Sequence, residues 1–164
     1  MIGSVDSPNG TVNITSVAQR LVRTIMFSKG QFSLLLARCN STAKQKQILS
    51  LIREFSPVEI AELPLPNNAE TLYNSIASGL DAKLPQGLMV TGLESVRDVN
   101  QLMISANFMR DEFPKHYNFP IVLWVNDEIV RKLIRLAPDF KNWSTTIRFD
   151  SLQESLMEPQ VLSA

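Results

Sequence analysis

Apolar positions along the chain follow two rhythms in alternation. From about Asn13, Ile14, Val17, Ala18, Leu21, Val22, Ile25 and Met26 recur at the three- and four-residue spacing of one helical stripe, which Gly30 is placed to end. Directly after it, Phe32-Ser-Leu-Leu-Leu-Ala37 is an almost unbroken apolar run, the pattern of a strand covered on both faces. Asn40, Ser41 or Thr42 is placed to cap a second helix, which carries Ile48, Leu51, Ile52 and Phe55 on one side and ends before Pro57. Val58-Glu-Ile-Ala-Glu-Leu63 alternates in part and reads as a strand near a sheet edge, ended by Pro64 and Pro66. A third helix is expected from Asn67 and Asn68, with Leu72, Ile76 and Leu80 inward, before the turn Leu84-Pro-Gln-Gly87. Leu88, Met89 and Val90 form a short buried strand between glycines. A fourth helix is expected from about Ser95 to Phe113, where Pro114 stops it. Phe119-Pro-Ile-Val-Leu-Trp-Val-Asn126 is the strongest strand pattern of the chain. Asn126 then caps a helix with Val130, Leu133, Ile134 and Ala137 inward, closed by Pro138. Thr145-Thr-Ile-Arg-Phe149 completes the set as a fifth strand.

Strands alternating with helices at short connections imply βαβ units. The expected fold class is α/β: a three-layer sandwich around a mostly parallel sheet of about five strands, helices on both faces. Residues 13–150 read as one domain, residues 1–12 as a flexible, turn-rich start, and residues 151–164 as a tail or the start of a linker with room for a short helix.

Composition narrows the function classes. In 164 residues, 16 basic side chains balance 16 acidic ones, so net charge gives no reason to expect nucleic acid or an anionic membrane as a partner. No apolar run approaches the roughly 18 residues of a membrane span, and the N-terminus has no signal-like core; a cytoplasmic setting is expected. One cysteine and one histidine allow neither an internal disulfide nor a transition-metal cluster within a single chain.

Candidate chemistry gathers at the strand ends. In open α/β sheets the functional groups stand just past the carboxyl ends of the strands. A phosphate loop after the first strand would need two glycines, a lysine and a hydroxyl. With Lys44 taken as the lysine, Arg38 and Ala43 fall at the glycines and Gln45 at the hydroxyl, so three of four defining positions are not filled. Lys44 then reads as a solvated helix charge. After the third strand, a nucleotide-hydrolysing protein places an aspartate to hold magnesium. This chain has Thr91, and its acid comes only at Glu94, which reads either as a base or as a helix-start acid. Asp127 and Glu128 read as an acidic first turn of a helix. Cys39 has a nucleophile's position beside Arg38. The histidine it would need, His116, falls at the opposite end of the sheet in an exposed loop, so no catalytic dyad is expected. Trp124 is expected in the core. Trp143 is expected either to pack over a sheet end or to face a partner.

Four segments carry a family resemblance: Phe32-Ser-Leu-Leu-Leu-Ala-Arg-Cys-Asn40, Gly87-Leu-Met-Val-Thr-Gly-Leu-Glu-Ser95, Pro120-Ile-Val-Leu-Trp-Val-Asn-Asp-Glu128, and Leu133-Ile-Arg-Leu-Ala-Pro-Asp-Phe140 with Trp143. In this order, over about residues 14–150, they resemble the NTPase-like domain near the front of large bacterial, often cyanobacterial, multidomain proteins. Those proteins carry tetratricopeptide or other repeats and are similar to STAND-type signalling ATPases. The resemblance implies a P-loop-NTPase-like sheet of order 5-1-4-3-2, degenerate Walker motifs at Arg38–Gln45 and Thr91–Ser95, no cofactor, no metal site and no catalytic residue. It implies as partners other proteins or further domains of the same polypeptide. The leading expectation is a non-catalytic interaction or regulatory module. The alternative is a nucleotide- or anion-binding switch without efficient hydrolysis, drawing on Arg38, Asn40, Lys44, Thr91, Glu94 and Asn126. A third is a stand-alone small α/β enzyme using Cys39 or Glu94.

Overall fold

The computed structural model describes residues 10–149, with side chains from Ile14 onward. The expected tail at 151–164 and the first nine residues of the expected loose start lie outside this range. The first helix, α1 (Gly10–Phe27), begins ahead of its apolar stripe, and Gly30 takes the left-handed conformation (φ 89°) in the turn that follows.

Five strands form one sheet: β1 (Ser33–Arg38), β2 (Ile60–Pro64), β3 (Gly87–Thr91), β4 (Pro120–Val125) and β5 (Ser144–Arg148). Their order is β2-β3-β4-β1-β5, the expected 5-1-4-3-2 read from the other edge, and every pairing is parallel. Six helices and a 3-10 turn follow α1: α2 (Thr42–Phe55), α3 (Leu72–Gly79), the 3-10 turn Leu93–Ser95, α4 (Val99–Phe108), α5 (Glu112–His116), α6 (Asp127–Leu136) and α7 (Pro138–Asn142).

The unbroken apolar runs reflect burial on two sides. Leu35, Ala37, Met89, Val122 and Trp124 point to one face, where Leu21 and Ile25 of α1 and Ile48 and Ile52 of α2 cover them. Leu34, Leu36, Val90, Ile121 and Leu123 point to the other, under Leu72, Leu102, Leu133, Phe113 and Phe140. All six residues of β4 are buried, whereas β2 at the edge has none. Each aliphatic side chain so buried contributes about 1.5–3 kcal/mol over exposure.

Several element boundaries differ from expectation. The expected single helix over residues 95–113 is three pieces. Val96 adopts an extended conformation that puts its side chain in the core, and Asp98 then caps α4 by accepting from Gln101 N–H at 3.2 Å. Pro114 does not stop a helix; it sits in the first turn of α5, where its missing N–H is not needed. Pro138 likewise opens α7. Helix α3 begins after Thr71, whose hydroxyl accepts from Asn74 N–H, rather than at Asn67 and Asn68. Ile134, expected inward, is 56% exposed, because the inward arc of α6 is already taken by Ile129, Val130 and Leu133. Among the described residues no helix is long and apolar enough to cross a membrane.

Candidate functional site

Strand order fixes where a site can form. The connection leaving β1 crosses on the α1–α2 face, and the connection leaving the adjacent β4 crosses on the opposite face. Their carboxyl ends therefore diverge and frame the crevice typical of open parallel sheets. Arg38, Cys39, Asn40, Ser41 and Lys44 stand on one side of this crevice, and Asn126 and Asp127 on the other.

The protein's own groups occupy it. Arg38 Nε donates to Asp127 Oδ1 at 2.7 Å, and Asp127 N–H donates to Asn40 Oδ1 at 2.9 Å. Below them Cys39 N–H donates to the Val125 carbonyl (2.8 Å), and Phe149 N–H to the Arg38 carbonyl (3.0 Å). The Arg38 guanidinium hydrogen-bonded to Asp127 holds its carboxyl below the usual carboxylate range. Partial burial opposes this, while Asn40 and the Arg131 charge reinforce it. Ser41 caps α2 by accepting from Lys44 N–H (3.1 Å), and Asn126 caps α6 by accepting from Ile129 N–H (2.8 Å). Of the three candidate caps for α2, Ser41 serves. Asn40 instead spans the crevice, because the parallel register aligns Arg38 with Val125 and so brings Asn40 level with Asp127.

Lys44 is not a solvated charge: it is 8% exposed, the only charged residue in the buried set of the described chain. Its place in the first turn of α2, directly under the strand ends, explains this. The loop Arg38-Cys-Asn-Ser41 has no glycine, so its backbone cannot make the open cradle of amides that a phosphate loop requires. Cys39 is 6% exposed, its thiol set toward the Ser41 carbonyl at 3.4 Å.

Thr91 and Glu94 are not part of this cluster. Thr91 ends β3, one strand further out, where its carbonyl accepts from Leu65 N–H at 2.8 Å. Gly92 follows in the left-handed conformation (φ 87°), and Glu94 projects into solvent from the 3-10 turn. Neither side chain is hydrogen-bonded or ion-paired to the Arg38–Asp127 group among the described residues. No group of three or more histidine, cysteine, aspartate and glutamate side chains converges there or elsewhere in those residues.

The opposite end of the sheet holds an aromatic cluster. Tyr73, Phe113, Tyr117 and Phe119 pack in series, and Trp143, 40% exposed, meets Phe32 edge-on at 6.4 Å. Of the two expectations for Trp143, packing over a sheet end is what the contact with Phe32 shows, and the side chain is otherwise partly exposed. His116 lies on α5, not in a loop, with Nδ1 2.7 Å from Tyr73 Oη. It is at the far end from Cys39, so the two do not meet. Tyr117 Oη donates to the Tyr73 carbonyl (2.9 Å), and burial, then the neighbouring Tyr73, pushes its phenol up to about 12. Trp124 is in the core as expected, stacked on Phe149 at 5.4 Å. No sequence signal marked the partnership of Arg38 with Asp127, which are 89 residues apart.

No protein-family model matches the chain, and no curated protein matches it.

Proposed function

We propose that the chain is a non-catalytic, P-loop-NTPase-like interaction or regulatory module, STAND-like in descent, acting in the cytoplasm within a larger signalling or scaffold protein. The observation that carries this reading is the filled crevice between β1 and β4. The place where a related enzyme would seat a phosphate is spanned by the Arg38–Asp127 pair at 2.7 Å and by Asn40. The glycines that would open it are absent from residues 38–44. At the magnesium position, Thr91 offers a neutral hydroxyl, a weaker ligand for a hard cation than a carboxylate. A bound triphosphate would have to displace an internal ion pair and gain no backbone cradle in return. Calorimetry of the purified chain with Mg-ATP, Mg-ADP and Mg-GTP tests this: no heat of binding at millimolar ligand and no phosphate release are expected. Specific, magnesium-dependent turnover would sink the proposal.

The second reading, a nucleotide- or anion-binding switch, draws on the burial of Lys44 in the first turn of α2, just after the end of β1. The same calorimetry separates the two, because saturable binding without turnover would select the switch.

A further inference from the structure

Strands of a layered α/β sheet are covered on both faces, and among the described residues β5 is covered on one. Ile147 and Phe149 are buried in the α1–α2 layer, whereas Thr146 and Arg148 face the side of α4 and α6, the first half-buried and the second exposed. The register fixes that direction, because Thr146 lies beside Leu36 and Arg148 beside Arg38.

Helix α6 supplies the other wall of this corner. Asp127, Arg131 and Ile134 stand at positions i, i+4 and i+7, one stripe down the helix. Asp127 reaches Arg38 of β1, so the stripe faces the β1–β5 side. Lys132, on the flank opposite Ile134, reaches Asn100 of α4. The exposed Ile134 is therefore turned toward β5 rather than toward α4. The charges left over in the corner have one sign. Asp127 is paired with Arg38, while Arg131 and Arg148 are exposed and form no ion pair among the described residues.

The chain itself carries the complement. Phe149 N–H donates to the Arg38 carbonyl, so residue 150 follows at the top of this corner. Residues 150–164 contain Asp150, Glu154 and Glu158 and no lysine or arginine. Leu152 and Leu156 stand one helical turn apart, ahead of Pro159. Ile134 lies about 10 Å down α6 from Asp127, and a helical stretch over residues 151–158 would rise about 12 Å.

We infer that residues 150–164 fold back into this corner, with Leu152 and Leu156 against Ile134 and Thr146, and with Glu154 and Glu158 on the outer side within reach of Arg131 and Arg148. The segment completes the α4–α6 layer over β5 and keeps that face from other partners. The inference is independent of the function proposed above.

A Cys39→Ala chain carrying Ile134→Cys and Leu156→Cys tests it by the rate at which an intramolecular disulfide forms under mild oxidation, read by gel mobility. The control pair, Ile104→Cys with Leu156→Cys, puts the first thiol on the exposed face of α4. The Ile134 pair is expected to close at least about tenfold faster than the control. Arg131→Glu with Arg148→Glu should slow it at least about threefold at low salt, and adding Glu154→Arg with Glu158→Arg should restore the rate. Circular dichroism checks that each variant is folded. Equal rates for the two cysteine pairs overturn the inference. Closure that the arginine reversals leave unchanged overturns the role given to the charges. Disulfides that form only between chains give the corner to the segment of a second copy and overturn the fold-back. Hydrogen exchange supplies a readout without cysteines: amides of residues 152–158 should exchange more slowly in the native chain than in Arg131→Glu/Arg148→Glu. Exchange in both chains as fast as in a free peptide of that sequence overturns the inference.

Discussion

Asp127 adds a side-chain and a backbone link between the loops that leave β1 and β4. Its carboxylate accepts from Arg38 and its backbone N–H donates to Asn40, so one residue closes the crevice from both directions. Its folded pKa lies below the unfolded one. The associated stability is therefore present above the unfolded value and lost as pH falls through the folded value. With the side chain 42% exposed, solvent screens the pair and the contribution is under about 1 kcal/mol. Urea midpoints followed from about pH 7 to about pH 3 should fall less steeply for Asp127→Asn than for the native chain, from a lower start; parallel curves would refute the assignment. Tyr117 gives the opposite limb. Its phenol is raised to about 12 from an unfolded value near 10, so its stabilising effect is complete below about pH 10 and disappears between there and about pH 12. The total is on the order of 2–3 kcal/mol. Tyr117→Phe should flatten the alkaline fall in thermal midpoint, and an unchanged fall would place its cause elsewhere.

Among the elements, the turn at the carboxyl end of β3 depends on a particular residue. Gly92 turns the chain out of the strand at φ 87°, and a Cβ there would stand 3.4 Å from the backbone N and O of Leu65. Gly92→Ala must hold an L side chain in the left-handed region, at a cost of about 1–2 kcal/mol. A urea midpoint within error of the native one would show that the turn relaxes instead. The prolines carry a related lesson. Pro114 and Pro138 lie where a helix starts, so each marks a new element rather than only the end of the previous one. On the other side of the strand, Gly79 lets α3 approach β2, since a Cβ would come within 2.5 Å of Leu63 Cδ1.

At the scale of the molecule, the parallel sheet decides which residues meet. Among the described residues, the order β2-β3-β4-β1-β5 puts the divergence of the connections at the carboxyl ends of β1 and β4. That place is closed by an ion pair. The aromatic cluster at the other end holds α3, α5 and the entry to β4 together and places Trp143 at the rim.

The sequence alone determined the alternation of helices and buried strands, because periodicity records which sides of an element are covered and burial is a local requirement on each residue. The identities at Arg38, Ala43, Gln45 and Thr91 likewise spoke against a phosphate loop and a metal carboxylate without any coordinates. Helix starts were less legible: Thr71 and Asp98 are ordinary polar residues until the neighbouring chain shows which amides need a partner. The tertiary structure alone decided that Arg38 meets Asp127, that Lys44 is enclosed and that Tyr117 reaches the Tyr73 carbonyl. The reason is physical. These contacts depend on strand order and register, which follow from the summed packing of the whole core rather than from any one segment's pattern.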